Sequence, residues 1–287
     1  MITPSRIRTV FTTLVVVVCL CGGVTEVRAA AGVRWAVCYT DEPSATALAE
    51  YDVVVLDPVR HPLLAPLLER KRTVLAYVSL TEMDASHPAL PELSAAGVVL
   101  SAHPEWTSAH YLDFRRPEWR RLLLERLVPA ALAAGFSGVF LDTLDDAAFL
   151  EAQDAERYAG MRDAASELVA AIRARFPEMV LMVNRGFAIM PAIAPSIDIV
   201  LGESVVTTFT ADADQPYARR TDEDINWQVD ALLDAQRRNP RLQVFTLDYW
   251  DPSDTDGLRR IYREQRARGF SPYVSTRALD RLVEEPR

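Results

Sequence analysis

Eight short apolar runs, each separated from the next by longer polar or amphipathic stretches, constrain this chain more than any other feature. They fall at 35–39, 53–56, 74–78, 139–141, 180–183, 197–201, 244–247 and 272–274. Within them apolar residues follow one another without alternation, as in Val53, Val54, Val55 and Leu56, which is the pattern of strands covered on both faces. The intervening stretches carry a different period. Tyr158, Met161, Ala165, Leu168, Val169, Ile172 and Phe176 recur three and four residues apart, as do Ile225, Val229, Leu232 and Leu233, then Leu258, Ile261 and Tyr262. Each set makes one apolar helix face. The stretch 117–134 fits the same pattern, with Pro117 at its start and Pro129 expected to kink or divide it. Strand alternating with helix predicts a parallel sheet, and eight such units favour closure into an α/β barrel of the (β/α)8 TIM type. Segment 81–114, rich in His, Pro and Ser, is the misfit and is expected to be an elaborated loop over the barrel mouth.

The N-terminus reads as a secretory signal peptide over residues 1–29. Arg6 and Arg8 precede an apolar run at 10–20, and Ala29, Ala30 and Ala31 supply the small residues of a cleavage site. The run is shorter than the roughly 20 residues a membrane span requires, and neither Cys19 nor Cys21 follows the small residue that lipid attachment needs. A secreted or periplasmic protein without stable membrane insertion is expected. Removing 29 of the 287 residues leaves 258, close to the roughly 250 of one eight-stranded barrel, so residues 30–287 are expected to form a single domain. Two of the three cysteines leave with the signal, and Cys38 is expected to be a buried thiol without a disulfide partner in the mature chain. The formal charge of −9 and pI near 5.1 argue against nucleic acid and against an anionic membrane surface, and favour a cationic substrate such as an amine-bearing polymer.

In a parallel barrel the chemistry sits at the C-terminal ends of the strands, and polar groups collect there. The segment 135–146, GFSGVFLDTLDD, runs a buried strand into Asp142, Asp145 and Asp146. Asp57 follows strand two, Ser79 and Glu82 strand three, Asn184 strand five, Glu203 strand six, Asp248 with Tyr249 and Trp250 strand seven, and Ser275 with Thr276 strand eight. Carboxylates beside aromatic rings suit a sugar. Glycoside hydrolysis needs two carboxyl groups flanking one bond, about 5–5.5 Å apart in a retaining enzyme. Asp142 and Glu203, two strands apart, are the candidates, with Asp142 assigned as nucleophile and Glu203 as general acid/base, an order that could be reversed. Asp57, Tyr77, Ser79, Glu82, Asn184, Asp248, Tyr249 and Trp250 form the expected substrate-binding set. Asp57, which precedes Pro58, fits a loop cap equally well. Asp145 and Asp146 read more simply as the start of the next helix, while Trp250, Tyr249 and Phe187 fit either sugar platforms or rim packing. His61, His87, His103 and His110 make no paired motif at a strand end, and no nucleophile elbow, phosphate loop or dinucleotide fingerprint occurs, so no metal and no organic cofactor is expected.

The ordered motifs YDVVVLD, VLAYVSLTEMD, GFSGVFLDTLDD, VNRG, VLGES and LDYW resemble those of glycoside hydrolase family 114, the endo-α-1,4-polygalactosaminidases, over nearly the whole mature chain. The resemblance implies a (β/α)8 barrel, no cofactor, and retaining endo-cleavage of α-1,4-linked galactosamine-containing exopolysaccharide. It places the family's catalytic Asp on Asp142 and its Glu on Glu203. Two positions depart from the family pattern: Thr81 where a glycine is expected, and Arg185 between Asn184 and Gly186. Both bear on sugar identity rather than reaction class, and Arg185 would repel a free-amine sugar if it faced the cleft. A non-catalytic polysaccharide-binding barrel and a glycosidase for another α-linked sugar are the rival readings.

Overall fold

The computed structural model of the chain describes residues 32–104 and 106–286; the expected signal peptide lies outside them. Eight strands form one parallel sheet: β1 (Trp35–Cys38), β2 (Val53–Leu56), β3 (Thr73–Ser79), β4 (Gly138–Asp142), β5 (Val180–Asn184), β6 (Ile199–Glu203), β7 (Gln243–Tyr249) and β8 (Ser271–Ser275). They are hydrogen-bonded in sequence order from β1 to β8. At the seam the Trp35 indole N–H donates to the Ser271 carbonyl at 2.8 Å and the ring lies 5.6 Å from Tyr273, so the sheet curls into a nearly closed barrel. Every apolar run of the sequence overlaps one of these strands, with Tyr39, Ile197 and Asp198 falling just outside. Most are longer than the runs by one or two polar residues, because Ser79, Asp142, Asn184 and Glu203 still belong to the ladder, paired respectively with Asp142, Ser79, Leu201 and Leu247. The side chains that carry the chemistry are therefore held by strand backbone rather than by loops.

Trp35, Phe245 and Tyr273 fill the interior, with Trp35 to Phe245 at 5.3 Å, and Cys38 is a buried free thiol. Helices Met161–Arg175, Asp222–Arg238 and Thr255–Ala267 cover the outside with the apolar faces their periodicity predicts. The Thr221 hydroxyl caps Asp222–Arg238, and acids in its first turn with arginines in its last complement the helix dipole. Pro129 does not end the 117–134 helix, which is divided just ahead of it. Helical backbone runs through, with one wide π turn over Leu123–Leu127 ahead of the proline, whose missing N–H breaks the regular ladder.

Segment 81–114 differs from its expectation. It is a small antiparallel sheet of Glu82–Asp84, Ala109–Leu112 and Val99–Ala102, with a short helix Leu90–Ala95, and it walls one side of the barrel mouth. Strands this short carry too few residues for alternation to register. No helix among the described residues is long and apolar enough to cross a membrane.

Candidate active site

A cavity of about 600 Å³ opens at the C-terminal end of the barrel, floored by Trp35, Val37, Phe140, Leu201 and Leu247. Asp142, Asn184 and Glu203, the last residues of β4, β5 and β6, meet in it. One atom joins them. The Asn184 side-chain nitrogen donates to Asp142 Oδ1 at 2.9 Å and to Glu203 Oε2 at 2.6 Å. Its two hydrogens serve one carboxylate each, and the reverse orientation of the amide would set its oxygen against both anions. Two oxygens that share a donor at these distances lie at most about 5.5 Å apart.

Glu203 also accepts from the Tyr249 hydroxyl at 2.6 Å. Burial, then the negative charge of Asp142, raise the Glu203 carboxyl above its usual range, against the opposing effects of Tyr249, Asn184 and Arg185. Burial also raises the phenols of Tyr39, Tyr77 and Tyr249 well above ordinary tyrosine, with Asp142 adding to it in all three and Glu203 in Tyr39 and Tyr249, so these hydroxyls act as neutral donors. Tyr77 is hydrogen-bonded to Asp142, and Tyr39 packs edge-on against Tyr77 at 5.1 Å.

The backbone immediately after each of these three strand ends is left-handed: Thr143 at φ 69°, Arg185 at 50° and Ser204 at 54°. For a β-branched residue such as Thr143 that conformation is costly, and it persists because hydrogen bonds fix it. The Thr143 amide donates to Asp142 Oδ1 at 2.8 Å, its hydroxyl meets Ser79 at 2.9 Å, and the Thr81 hydroxyl donates to its carbonyl at 2.6 Å. Arg185 N and Ser204 N donate to the next strands at Leu201 O and Leu247 O. The turns thus re-aim the chain while holding the preceding carboxylates inward.

A second acidic group shares the cavity. Asp146, which opens the helix Asp146–Gln153, accepts from Thr81 at 2.8 Å and is hydrogen-bonded to Glu82, whose carboxylate lies 3.6 Å from His103. Burial and the Glu82 charge push Asp146 up to about 8, and burial raises Glu82 as well. Asp146 is thus favoured in its protonated form beside Glu82. Donor atoms of Glu82, His103 and Asp146 lie within 4.8 Å of one another and could surround a metal ion.

Of the residues singled out in the sequence, Tyr77, Ser79, Glu82, Asn184 and Tyr249 line the cavity with Asp142 and Glu203. Three others are engaged elsewhere. Asp57 Oδ1 accepts from Val59 N and Arg60 N at 2.8 and 2.7 Å, capping its own loop. Asp248 is fully buried and points outward, taking Val206 N, Thr207 N and Gln265 Nε2; burial moves it up to about 6. Trp250 donates to Asp254 at 2.9 Å, at the start of the last helix. Arg185 does not line the cavity and pairs with Asp145 at 2.8 Å. Sequence reasoning missed Tyr39, Thr143 and His103 as cavity residues, along with Trp106, Phe209 and Arg277. Tyr39 alone had a signal, as the last residue of the first apolar run.

The model of glycoside-hydrolase family GH114 matches residues 23–287. The glycoside hydrolase domain of PelA from Pseudomonas aeruginosa is 30% identical, with a TM-score of 0.77 over 88% of this chain and 98% of that one. Aspergillus fumigatus Ega3, solved in complex with galactosamine, shares the fold at 15% identity and a TM-score of 0.66, over 89% of this chain and 95% of its own. An uncharacterized protein of Deinococcus radiodurans is 24% identical over 227 residues, 74% of this chain and 67% of that protein. A family match across the whole barrel, on strands that end in a bridged carboxylate pair, establishes that this chain belongs to glycoside-hydrolase family GH114 and is a glycoside hydrolase.

Proposed function

We propose that the protein is a secreted or periplasmic enzyme that cuts α-1,4-linked galactosamine-containing exopolysaccharide internally and with retention of configuration. The observation that carries this reading is the Asn184 bridge. It keeps Asp142 Oδ1 and Glu203 Oε2 at most about 5.5 Å apart, which supports a retaining spacing of about 5–5.5 Å over the roughly 6.5–9.5 Å an inverting enzyme needs for an intervening water. The Ega3 complex with galactosamine and the acidic cavity support the amino-sugar substrate, and the sequence resemblance to the polygalactosaminidases supports endo action.

In this mechanism Asp142 attacks the anomeric carbon from the face opposite the leaving group while Glu203 gives its proton to the glycosidic oxygen. A covalent glycosyl ester forms on Asp142 and the glycosidic bond breaks. Burial and the Asp142 charge raise the Glu203 carboxyl, a shift in the direction that suits the acid role. Glu203, now ionised, then takes a proton from water, whose oxygen displaces Asp142 and restores the α configuration. Tyr77 and the Thr143 amide steady the Asp142 carboxylate as it attacks and departs.

The test is release of reducing ends from partially deacetylated α-1,4-galactosaminogalactan by the mature protein, alongside Asp142→Asn and Glu203→Gln. The wild type is expected to yield oligomers with the α anomer formed first by NMR, and each variant to lose at least about 1,000-fold. A wild type that binds the polymer without cutting it, or a first product in the β form, overturns the reading.

A further inference from the structure

The two-carboxylate chemistry leaves one cavity residue without a role. Arg277 is the only lysine or arginine among the described residues that line the cavity; the other charges there are the carboxylates Glu82, Asp84, Asp142, Asp146 and Glu203, together with His103. Its guanidinium carbon lies 4.3 Å from the centre of the Phe209 ring and 5.2 Å from that of Trp106. The three residues come from separate elements. Trp106 lies between the strands Val99–Ala102 and Ala109–Leu112, Phe209 ends the short strand Thr207–Phe209, and Arg277 follows β8.

The turn that carries Arg277 is fixed at both ends. Leu279 N donates back to Thr276 O at 3.2 Å, Tyr39 N donates to Leu279 O at 2.8 Å, and the Thr40 hydroxyl donates to Asp280 O at 2.8 Å. Leu279 is buried and left-handed at φ 48°. The guanidinium is therefore placed by backbone hydrogen bonds to the end of β1 and by two aromatic faces, and among the described residues no carboxylate pairs with it. A stacked guanidinium keeps its N–H edge free to donate, and the Trp106 ring, 49% exposed, offers an apolar face to a pyranose.

These features give one part of a strongly acidic cavity the opposite preference. Elsewhere a protonated amine gains from the carboxylates, but beside Arg277 it meets a like charge, whereas an acetamido oxygen meets donors. Building on the amino-sugar reading above, we propose that Arg277, held by Phe209 and Trp106, forms a subsite that takes a neutral N-acetylated sugar unit and rejects a protonated amine at that position.

The experiment compares kcat/KM on partially acetylated and on fully deacetylated α-1,4-galactosamine polymer at pH 6, where the sugar amine is charged, for wild type, Arg277→Gln and Arg277→Lys. The preference for the acetylated polymer is expected to fall on the order of tenfold in Arg277→Gln, somewhat above the roughly fivefold of two unit charges 4 Å apart in water, and to survive largely in Arg277→Lys. In the wild type it is expected to shrink as salt rises from 0.05 to 0.5 M. The wild-type salt series and Arg277→Lys decide the matter even if Arg277→Gln does not fold. A wild-type preference insensitive to salt, a ratio unchanged in Arg277→Gln, or equal loss in Arg277→Lys overturns this subsite while leaving the parent reading in place. Failure of the wild type on both polymers overturns the parent reading, and the subsite's substrate class with it.

Discussion

Asn184 holds together two groups that repel each other. With its nitrogen between Asp142 and Glu203, each carboxylate sees a partial positive charge before it sees the other anion. The Tyr249 hydroxyl does the same for the second Glu203 oxygen. Both donors oppose the upward push that burial and Asp142 exert on Glu203. Removing either therefore raises Glu203 further. A general acid must be protonated, so activity is lost as pH rises through its pKa, and raising that pKa moves the alkaline limb of the pH–rate profile upward. Tyr249→Phe and Asn184→Ala are both expected to shift this limb to higher pH, with kcat falling about 10-fold and about 100-fold respectively. A purely structural role would lower kcat and leave the limb where it was, so the profile decides between the two.

At the scale of elements, the barrel was legible because its strands are buried on both faces, which makes each an uninterrupted apolar run, as 53–56 and 139–141 are. The strand-end polar residues were legible as a set, but which of two neighbours faces the mouth depends on a one-residue alternation that the letters do not carry. Asp248 and Tyr249 are adjacent, and only Tyr249 reaches the cavity while Asp248 turns to Gln265. His103 and Trp106 were hidden because segment 81–114 is built of strands of three and four residues with no periodic signal. Asp146 looked like any acid at a helix start. Arg277 lies in a turn whose geometry depends on contacts with β1, far away in sequence. Register is the device that keeps the strand ends level, and Gly138 sets it for β4 and β5. A methyl group there would lie 1.9 Å from the Val180 carbonyl oxygen, a backbone atom that cannot step aside. Gly138→Ala is expected to cost about 3 kcal/mol or more in urea unfolding, beyond ordinary overpacking, and to lower kcat in the folded fraction by displacing Asp142 from Asn184. A cost below about 1 kcal/mol would mean that the strands slide to accept it and that register is not what aligns the site.

Across the whole molecule, arginine–carboxylate pairs are numerous, and beside them the barrel buries a small set of acidic groups. Glu82, Asp145 and Glu203 are raised by burial, Asp146 reaches about 8 and Asp248 about 6. In the unfolded chain the same groups titrate near 4. A carboxyl whose folded pKa is raised binds its proton more tightly in the native state, so its stabilising contribution is complete below about pH 4 and disappears as pH rises through the folded value. The ion pairs that run the other way, such as those drawing Glu264 down to about 2, lose their contribution only in stronger acid. The chain is therefore expected to be more stable at pH 5 than at pH 8, with the fall in Tm concentrated between about pH 5 and 8, where Asp248 and then Asp146 give up their protons. Calorimetry across that range checks it, and a flat or rising Tm refutes it. The same electrostatics tie stability to the substrate. A galactosamine oligomer bound to the Asp142→Asn protein brings positive charge to Glu82 and Asp146, taking the place of the proton on Asp146, and so should raise Tm more at pH 7, where the sugar amine is still charged, than at pH 5. A fully N-acetylated oligomer carries no such charge and should raise Tm by a similar amount at both, which makes the difference between the two ligands a measure of how far the acidic cavity is built for an amine.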